Sequence, residues 1–203
     1  MTIRRKLACV ISNMSDVASR LSSERPGLRI LMYHSIGNQA LGDSRGFFSV
    51  SPKNFKAQAT LLARCYKDQI TELDESAICE HSHRLAITFD DGYRDNLEVA
   101  APILNDFSLP FTVFVTSEFI RKNSAGFLSI AGLRDLSTLP MVTIGAHGKN
   151  HVALTGCNDS VLQSELVTSK EFLEDKIGKE VSAIAYPYGD VDHRVKTAAK
   201  AAG

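Results

Sequence analysis

Short apolar runs alternate with helical patterns along most of this chain, and that alternation constrains the fold more than any other feature. Each run is rich in branched or aromatic residues, and a segment with helical spacing or a helix-start signal separates it from the next. Such alternation predicts βα units around a parallel sheet or barrel, and therefore an α/β protein. The predicted strands are Leu28–His34, Leu85–Phe89, Phe111–Val115, Met141–Ile144 and Val181–Ala185.

Helix-start signals divide the sequence further. Ser51 and Pro52 combine a hydroxyl N-cap with a proline in the first helical position. Ser160 and Gln163 fit a capping box at the start of a long amphipathic helix. We predict an N-terminal helical arm over residues 1–27 and one domain over residues 28–203, a length that is ample for a single core.

Composition excludes some classes of function. The 23 basic and 23 acidic residues give a formal net charge of zero, so no global charge favours a nucleic-acid partner. The apolar segment Leu7–Ile11 is shorter than the roughly seven residues of a signal-peptide core, and no run approaches the roughly 18 residues of a membrane span. We therefore expect a cytoplasmic protein. A peripheral membrane contact by its basic N-terminal segment is left open, and the sequence does not indicate the oligomeric state.

Two adjacent carboxylates follow the second predicted strand directly. Asp90 and Asp91 come right after Phe89 and precede Gly92. Side chains at the C-terminal ends of parallel strands commonly line active sites. Two neighbouring carboxylates repel each other unless a cation binds one of them and the other acts as a base. A simple turn is the alternative explanation for Asp-Asp-Gly alone.

Two imidazoles follow a later strand at an i, i+4 spacing. His147 and His151 come just after the run Met141–Ile144, and with Asp91 they supply the three ligands that a catalytic zinc site uses. Two unrelated loop histidines are the alternative, but the occurrence of both motifs at strand ends favours a metal site. Asp90 is then the candidate general base, and iron, cobalt or nickel would also suit this ligand set.

The remaining candidates complete a hydrolytic mechanism. A divalent metal lowers the pKa of water towards neutrality, so the set predicts hydrolysis of an amide or ester. The metal and a backbone N–H after Gly92, such as that of Tyr93, are candidates to stabilise the oxyanion. His34 ends the first predicted strand and is the candidate acid for the leaving amine, with a satisfied core or loop histidine as the alternative.

These motifs together resemble the polysaccharide deacetylase family, the NodB-homology domain of carbohydrate esterase family four. The stretch Thr88–Gly92 is similar to the family's first motif, in which the first Asp is the base and the second is a metal ligand. His147 and His151 match the two ligand histidines of its second motif. The resemblance runs from about Leu28 to the end of the chain and implies a distorted (β/α) barrel.

A third motif is also present, and the chain departs from the family in three places. Tyr186, Pro187 and Tyr188 resemble the motif that forms one wall of the substrate groove. Gly148 stands where the family has Ser or Thr, and Ala185 stands where an Arg usually orients the base. Two later motifs are missing because the chain ends first, which predicts a barrel truncated at its C-terminal end.

The subgroup resembling the poly-N-acetylglucosamine deacetylases is the best match. Its members take the acid histidine from a Met-Tyr-His opening strand, which Met32, Tyr33 and His34 fit. The resemblance implies a metal-dependent hydrolase, with zinc as the first choice of metal, that removes acetyl groups from N-acetylated amino sugars of a polysaccharide or its precursor. Two alternatives stay open: a catalytically weak carbohydrate- or partner-binding domain, and a related hydrolase of small amides or O-acetyl esters.

Overall fold

The computed structural model describes residues 26–73 and 82–203, and the arm predicted over residues 1–27 lies outside them apart from its last two residues. The strands are β1 Gly27–Tyr33, β2 Ser35–Ile36, β3 Ser49–Val50, β4 His83–Phe89, β5 Phe111–Val115 and β6 Val142–Ala146. The α-helices are α1 Pro52–Cys65, α2 Ala101–Asp106, α3 Ser117–Arg121, α4 Ile130–Thr138, α5 Asp159–Gln163, α6 Ser169–Ile177 and α7 His193–Ala201. Two π-helical segments, Asn96–Ala100 and Ser164–Thr168, lead into α2 and α6, and 3₁₀ turns occur at Lys67–Gln69 and Pro187–Gly189.

In the described residues, four parallel strands form the main sheet, in the order β1-β4-β5-β6. Every residue of β5 is buried, as expected for a strand covered on both faces of a parallel sheet. Because neighbouring strands run in the same direction, their C-terminal ends meet at one edge of the sheet. The predicted α/β fold is therefore confirmed, and the candidate residues at the strand ends are brought to the same side of the molecule.

Aromatic side chains fill the centre of the core. The Phe89 ring packs edge-on against Phe55 of α1 and Phe111 of β5, with ring centroids 5.8 Å and 5.6 Å apart. Tyr33 stacks on the same ring at 5.5 Å. Phe89 is fully buried and directly precedes the two candidate carboxylates, so this packing fixes the end of β4.

Two predicted boundaries differ from the structure. The capping box at Ser160 is wrong, because the Asn158 side chain accepts the backbone N–H of Val161 at 3.0 Å and the helix begins two residues earlier. The predicted strand Val181–Ala185 is reduced to an isolated bridge between Ala146 and Ile184. The backbone N–H of Val181, the first residue of this predicted strand, donates to the carboxylate of Glu174 instead of to a carbonyl oxygen of a neighbouring strand. Within residues 26–73 and 82–203, no helix has the length and apolar character needed to cross a bilayer.

Candidate metal centre

The end of β4 places the Asp91 carboxylate in the interior. Asp91 and Gly92 both have left-handed backbones, with φ of 74° and 81°, so the chain turns sharply after Asp90. A Cβ on Gly92 would lie 3.2 Å from the Val115 side chain, so glycine allows both the turn and the close approach to β5. The Asp91 residue is only 8% exposed, although it lies at a loop.

The end of β6 delivers the two histidines through a short segment, residues 147–151, that we call the histidine loop. The His147 side chain is buried, and the backbone N–H of His147 donates to the carbonyl oxygen of Val115 at the end of β5. The loop turns through Gly148 and His151, whose φ values of 72° and 57° are left-handed. The two imidazole rings end 5.0 Å apart.

Three potential ligand atoms converge at this place. The Oδ1 atom of Asp91 lies 3.4 Å from Nε2 of His147 and 3.1 Å from Nε2 of His151. The ligand atoms of these three side chains all lie within 4.8 Å of one another, close enough to bind one shared ion. Among the described residues, this is the group of acidic, histidine or cysteine side chains with that property. The structure therefore brings together the three residues that the sequence predicts as metal ligands.

The second nitrogen of each imidazole shows how the site suits a cation. Nδ1 of His147 lies 2.8 Å from the carbonyl oxygen of Ala185, which can only accept, so this nitrogen carries a proton. In the neutral ring, Nε2 then directs a lone pair at Asp91 Oδ1, which is buried and has no hydrogen-bond partner among the described residues. Two acceptors that face each other repel unless a positive charge lies between them. The residues present therefore fit a divalent metal.

His151 has a corresponding outer contact. Its Nδ1 lies 3.1 Å from the hydroxyl of Tyr188, which itself lies 3.4 Å from the His151 carbonyl oxygen and donates to it. That arrangement assigns the Nδ1 proton to a bond with Tyr188 and leaves Nε2 as the ligand atom. Partners of this kind orient ligand imidazoles and raise their basicity.

The pKa values of the two neighbouring carboxylates, Asp90 and Asp91, are shifted in opposite directions. Burial raises the pKa of Asp90 above its usual range, and the negative charge of Asp91 adds to this effect, although His147 and His34 oppose it. Burial would also raise the pKa of Asp91, but the close His147 and His151 imidazoles outweigh burial and hold this pKa well below the usual range. Asp91 thus stays ionised, as a ligand must, while Asp90 takes up a proton more readily, as a base must.

His34 approaches the site from the first strand. It lies directly after β1, and its positive form lowers the pKa of Asp90, so the two groups are within electrostatic reach. The His34 imidazole packs against the Phe48 ring, with centroids 4.7 Å apart. The backbone carbonyl oxygen of His34 accepts a hydrogen bond from the side-chain amide of Asn96 at 2.8 Å. Sequence reasoning missed Phe48, because nothing in the pattern ties a residue before β3 to the end of β1.

Phe48 belongs to a loop that carries exposed apolar side chains. The backbone N–H groups of Phe47 and Phe48 donate to the Asp43 carboxylate at 2.9 Å and 2.7 Å. Burial alone would raise the pKa of Asp43, but these donors bring it below its usual range. Leu41, Phe47 and Phe48 remain exposed on this loop, which we call the aromatic loop, residues 37–48.

The residues predicted to bind substrate divide into three groups. Tyr93 is buried beside Asp91: burial and the Asp91 charge raise its pKa to about 12, and its hydroxyl accepts the N–H of Leu41 at 2.8 Å. Tyr188 is 74% exposed and contacts a predicted ligand, and Pro187 is buried next to the histidine loop. Tyr186 instead packs against a small apolar cluster of Leu154, Leu162, Leu166 and Val195.

Known proteins share this sequence pattern and this fold. The family model described as polysaccharide deacetylase matches residues 77–203. This chain belongs to the polysaccharide deacetylase family. Membership confirms the family resemblance and supports a deacetylase, a hydrolase of acyl groups.

Individual relatives agree with that assignment. The Bacillus subtilis (strain 168) protein YxkH, which is named as a member of the polysaccharide deacetylases, is 27% identical over 205 residues, covering 98% of this chain and 70% of the relative. A Bacillus cereus polysaccharide deacetylase structure has a TM-score of 0.72 at 29% identity, over 87% of this chain and 56% of that one. The Streptococcus pyogenes deacetylase PplD, solved in complex with acetate, has a TM-score of 0.75 at 22% identity, over 88% and 81% of the two chains, which shows the shared fold.

Proposed function

We propose that this protein is a metal-dependent hydrolase that removes acetyl groups from N-acetylated amino sugars of a polysaccharide or its precursor. The observation that carries the proposal is the convergence of Asp91 Oδ1 with Nε2 of His147 and of His151, next to a second carboxylate, Asp90. Zinc is the proposed metal, because two imidazoles and one carboxylate form a common catalytic zinc set.

Each predicted residue has a distinct task in this proposal. Asp91, His147 and His151 would hold the metal, which polarises a carbonyl and lowers the pKa of water when it is bound. Asp90 takes the proton from the water that attacks the acetamide carbon, and its raised pKa brings it closer to the working pH of a base. The backbone N–H of Tyr93 is proposed to donate to the developing oxyanion.

His34 is the proposed acid. It directly follows β1, which pairs with β4 on the side away from β5 and β6, and its charge acts on Asp90. We propose that it gives a proton to the amine that leaves when the amide bond breaks. Its imidazole is held by packing against Phe48 rather than by a hydrogen bond to the described residues, so both ring nitrogens are available for proton transfer.

A sugar substrate is supported by the exposed aromatic rings that flank the centre. Tyr188 lies on the His151 side, and Phe48 lies on the His34 side. Both rings are substantially exposed, at 74% and 48%. Aromatic side chains combined with a few convergent polar groups are typical of small-molecule and carbohydrate sites. The acetate found with the Streptococcus pyogenes deacetylase is the product that this reaction would release.

Acetate release from an N-acetylhexosamine oligomer tests the proposal. We expect the zinc-loaded protein to release acetate, to lose this activity after treatment with a chelator, and to recover it when zinc is restored. The same assay with an O-acetylated sugar and with a small acetamide tests specificity. Acetate release from the N-acetylated sugar alone indicates an N-acetyl sugar deacetylase, and release from all three substrates indicates a general hydrolase. Oligomer binding without acetate release, in protein that demonstrably holds zinc, would favour a binding domain instead.

A further inference from the structure

We propose that Glu165 is a positioning residue that fixes the histidine loop for metal binding, an inference that rests on the proposed function. Glu165 lies on the π-helical segment before α6, far along the chain from the metal motifs. It is 2% exposed. Glutamate is almost never buried to this degree unless its charge has partners, so the partners of this carboxylate identify its task.

Among residues 26–73 and 82–203, all of the hydrogen bonds to the Glu165 side chain come from the histidine loop. Its Oε2 accepts the backbone N–H groups of Lys149 and Asn150, each at 2.8 Å. Its Oε1 accepts the side-chain amide of Asn150 at 2.6 Å. Lys149 and Asn150 lie between the two predicted ligands His147 and His151, so the carboxylate fixes the segment that sets the spacing of the imidazoles.

The same helical face holds the loop by a second contact. Ser169 follows Glu165 by four residues, a spacing that places both side chains on one side of a helix. Its fully buried hydroxyl donates to the carbonyl oxygen of Gly148 at 2.9 Å. The helix thus supplies an acceptor for two consecutive N–H groups and a donor for the carbonyl just before them.

The local backbone makes room for this clamp. Glu165 occurs where the helix widens into its π-helical segment, and such segments are frequent at functional sites. Gly148 has a φ of 72°, and a Cβ added there would lie 3.3 Å from Glu165 Oε2. A side chain at position 148 and the Glu165 carboxylate therefore compete for one space. This chain stabilises the loop from the helix instead of from a hydroxyl at position 148.

Zinc affinity measures the positioning role directly. Glu165→Ala leaves the N–H groups of Lys149 and Asn150 without their acceptor, and we expect the affinity for zinc to fall about 10- to 100-fold. Competition with a chromophoric chelator measures this change. Glu171→Ala is the matched control, because Glu171 lies on the same helix with an exposed side chain, and its zinc affinity should equal that of the wild type.

Spectroscopy distinguishes positioning from a general loss of stability. The visible absorption bands of bound Co²⁺ report ligand geometry, so they should change in Glu165→Ala and stay unchanged in Glu171→Ala. Glu165→Gln keeps one oxygen for the two backbone N–H groups, and the Asn150 amide can turn to meet its NH₂ group. We expect this variant to regain most of the zinc affinity and the wild-type cobalt spectrum.

A shorter side chain decides the question if the alanine variant does not fold. Glu165→Asp keeps the charge but withdraws the carboxylate by one methylene group, and it should lose zinc affinity while Glu165→Gln retains it. Wild-type affinity and spectrum in Glu165→Asp, or equal losses in both variants, would overturn the positioning role. Failure of the wild-type protein to bind zinc would instead overturn the proposed function, so the two failures are distinguishable.

Discussion

The two halves of the candidate site are held in different ways. On the metal side, each imidazole has a fixed partner for its second nitrogen: the Ala185 carbonyl for His147 and the Tyr188 hydroxyl for His151. On the acid side, the imidazole of His34 is held by packing against the Phe48 ring. The hydrogen bond from the Asn96 side chain goes to the backbone carbonyl oxygen of His34 and not to its ring. A ligand has to direct one lone pair at a fixed point, whereas an acid has to gain and lose protons. The difference in support matches the difference in proposed task.

The largest effect should come from removing the carboxylate on the metal side. Asp91→Ala deletes one ligand atom, the carboxylate oxygen that lies 3.4 Å from Nε2 of His147 and 3.1 Å from Nε2 of His151. We expect the protein to lose bound zinc and kcat/KM to fall by about 10³-fold or more, because the metal contributes several kcal/mol of transition-state stabilisation. Metal content by elemental analysis and acetate release measure the two effects. Full zinc content and activity in this variant would contradict the assignment of Asp91 to a metal-binding half of the site.

Asp90→Asn is the matched change one residue earlier. It removes the proposed base but none of the three ligand atoms, so zinc content should stay at the wild-type level. The expected loss in kcat is about 10²- to 10⁴-fold, the usual contribution of general acid–base catalysis. Loss of zinc together with activity would show that the two carboxylates do not divide their tasks as proposed.

His34→Gln tests the acid side. We expect zinc content and KM to be unchanged and kcat to fall by about 10²-fold, the lower end of the range for general acid–base catalysis, because water can protonate part of the leaving amine. The alkaline limb of the pH–rate profile should flatten in this variant, since that limb reports the acid. His193→Gln, at the exposed start of α7, is the control and should leave the profile as it is.

The smallest effect should come from the aromatic loop. Asp43→Asn replaces one of the two oxygens that accept the N–H groups of Phe47 and Phe48, so the loop should loosen while zinc content stays unchanged. Because the folded-state pKa of Asp43 is lowered, its stabilisation is present above the ordinary carboxyl pKa of about 4 and is lost as the pH falls through the lowered value. Urea unfolding should therefore show a difference between wild type and variant at pH 7 that shrinks below about pH 4. Asp106→Asn makes the same chemical change at an exposed residue of α2 and is the control: its unfolding free energy at pH 7 should equal that of the wild type.

The sequence predicts the strand-borne parts of the site because strand order and direction determine where their ends lie. Asp90, Asp91 and His147 each follow an apolar run, and parallel strands bring such ends together without any knowledge of side-chain contacts. His34 is predicted by the same argument. Tertiary contacts determine the parts that were missed: Ala185 acts through its carbonyl oxygen, so the side chain at this position does not reveal the contact.

Glu165 shows where a further signal could have been found. It lies among the apolar positions Leu162, Leu166 and Leu173 of the predicted helix, and a charged residue on the buried stripe requires a partner. Its π-helical segment could not be predicted, since the spacing of Leu162, Leu166 and Leu173 also fits an uninterrupted α-helix. Short-range competition likewise explains the wrong capping box: Asn158 and Ser160 are both good N-caps, and only the structure shows which side chain accepts an N–H.

Strand β5 supplies no ligand, yet both ligand-bearing ends are attached to it. The carbonyl of Val115 accepts the N–H of His147, and the N–H of Thr116 donates to the carbonyl of Asp91 at 3.4 Å. Both attachments use the single peptide group between Val115 and Thr116, so a one-residue deletion within this strand would move that group out of register with β4 and β6 together and exchange the two faces on which the strand's side chains lie. Laboratory evolution of this scaffold should therefore accept changes of residue type in the surface loops far more readily than any change in the length of this central strand.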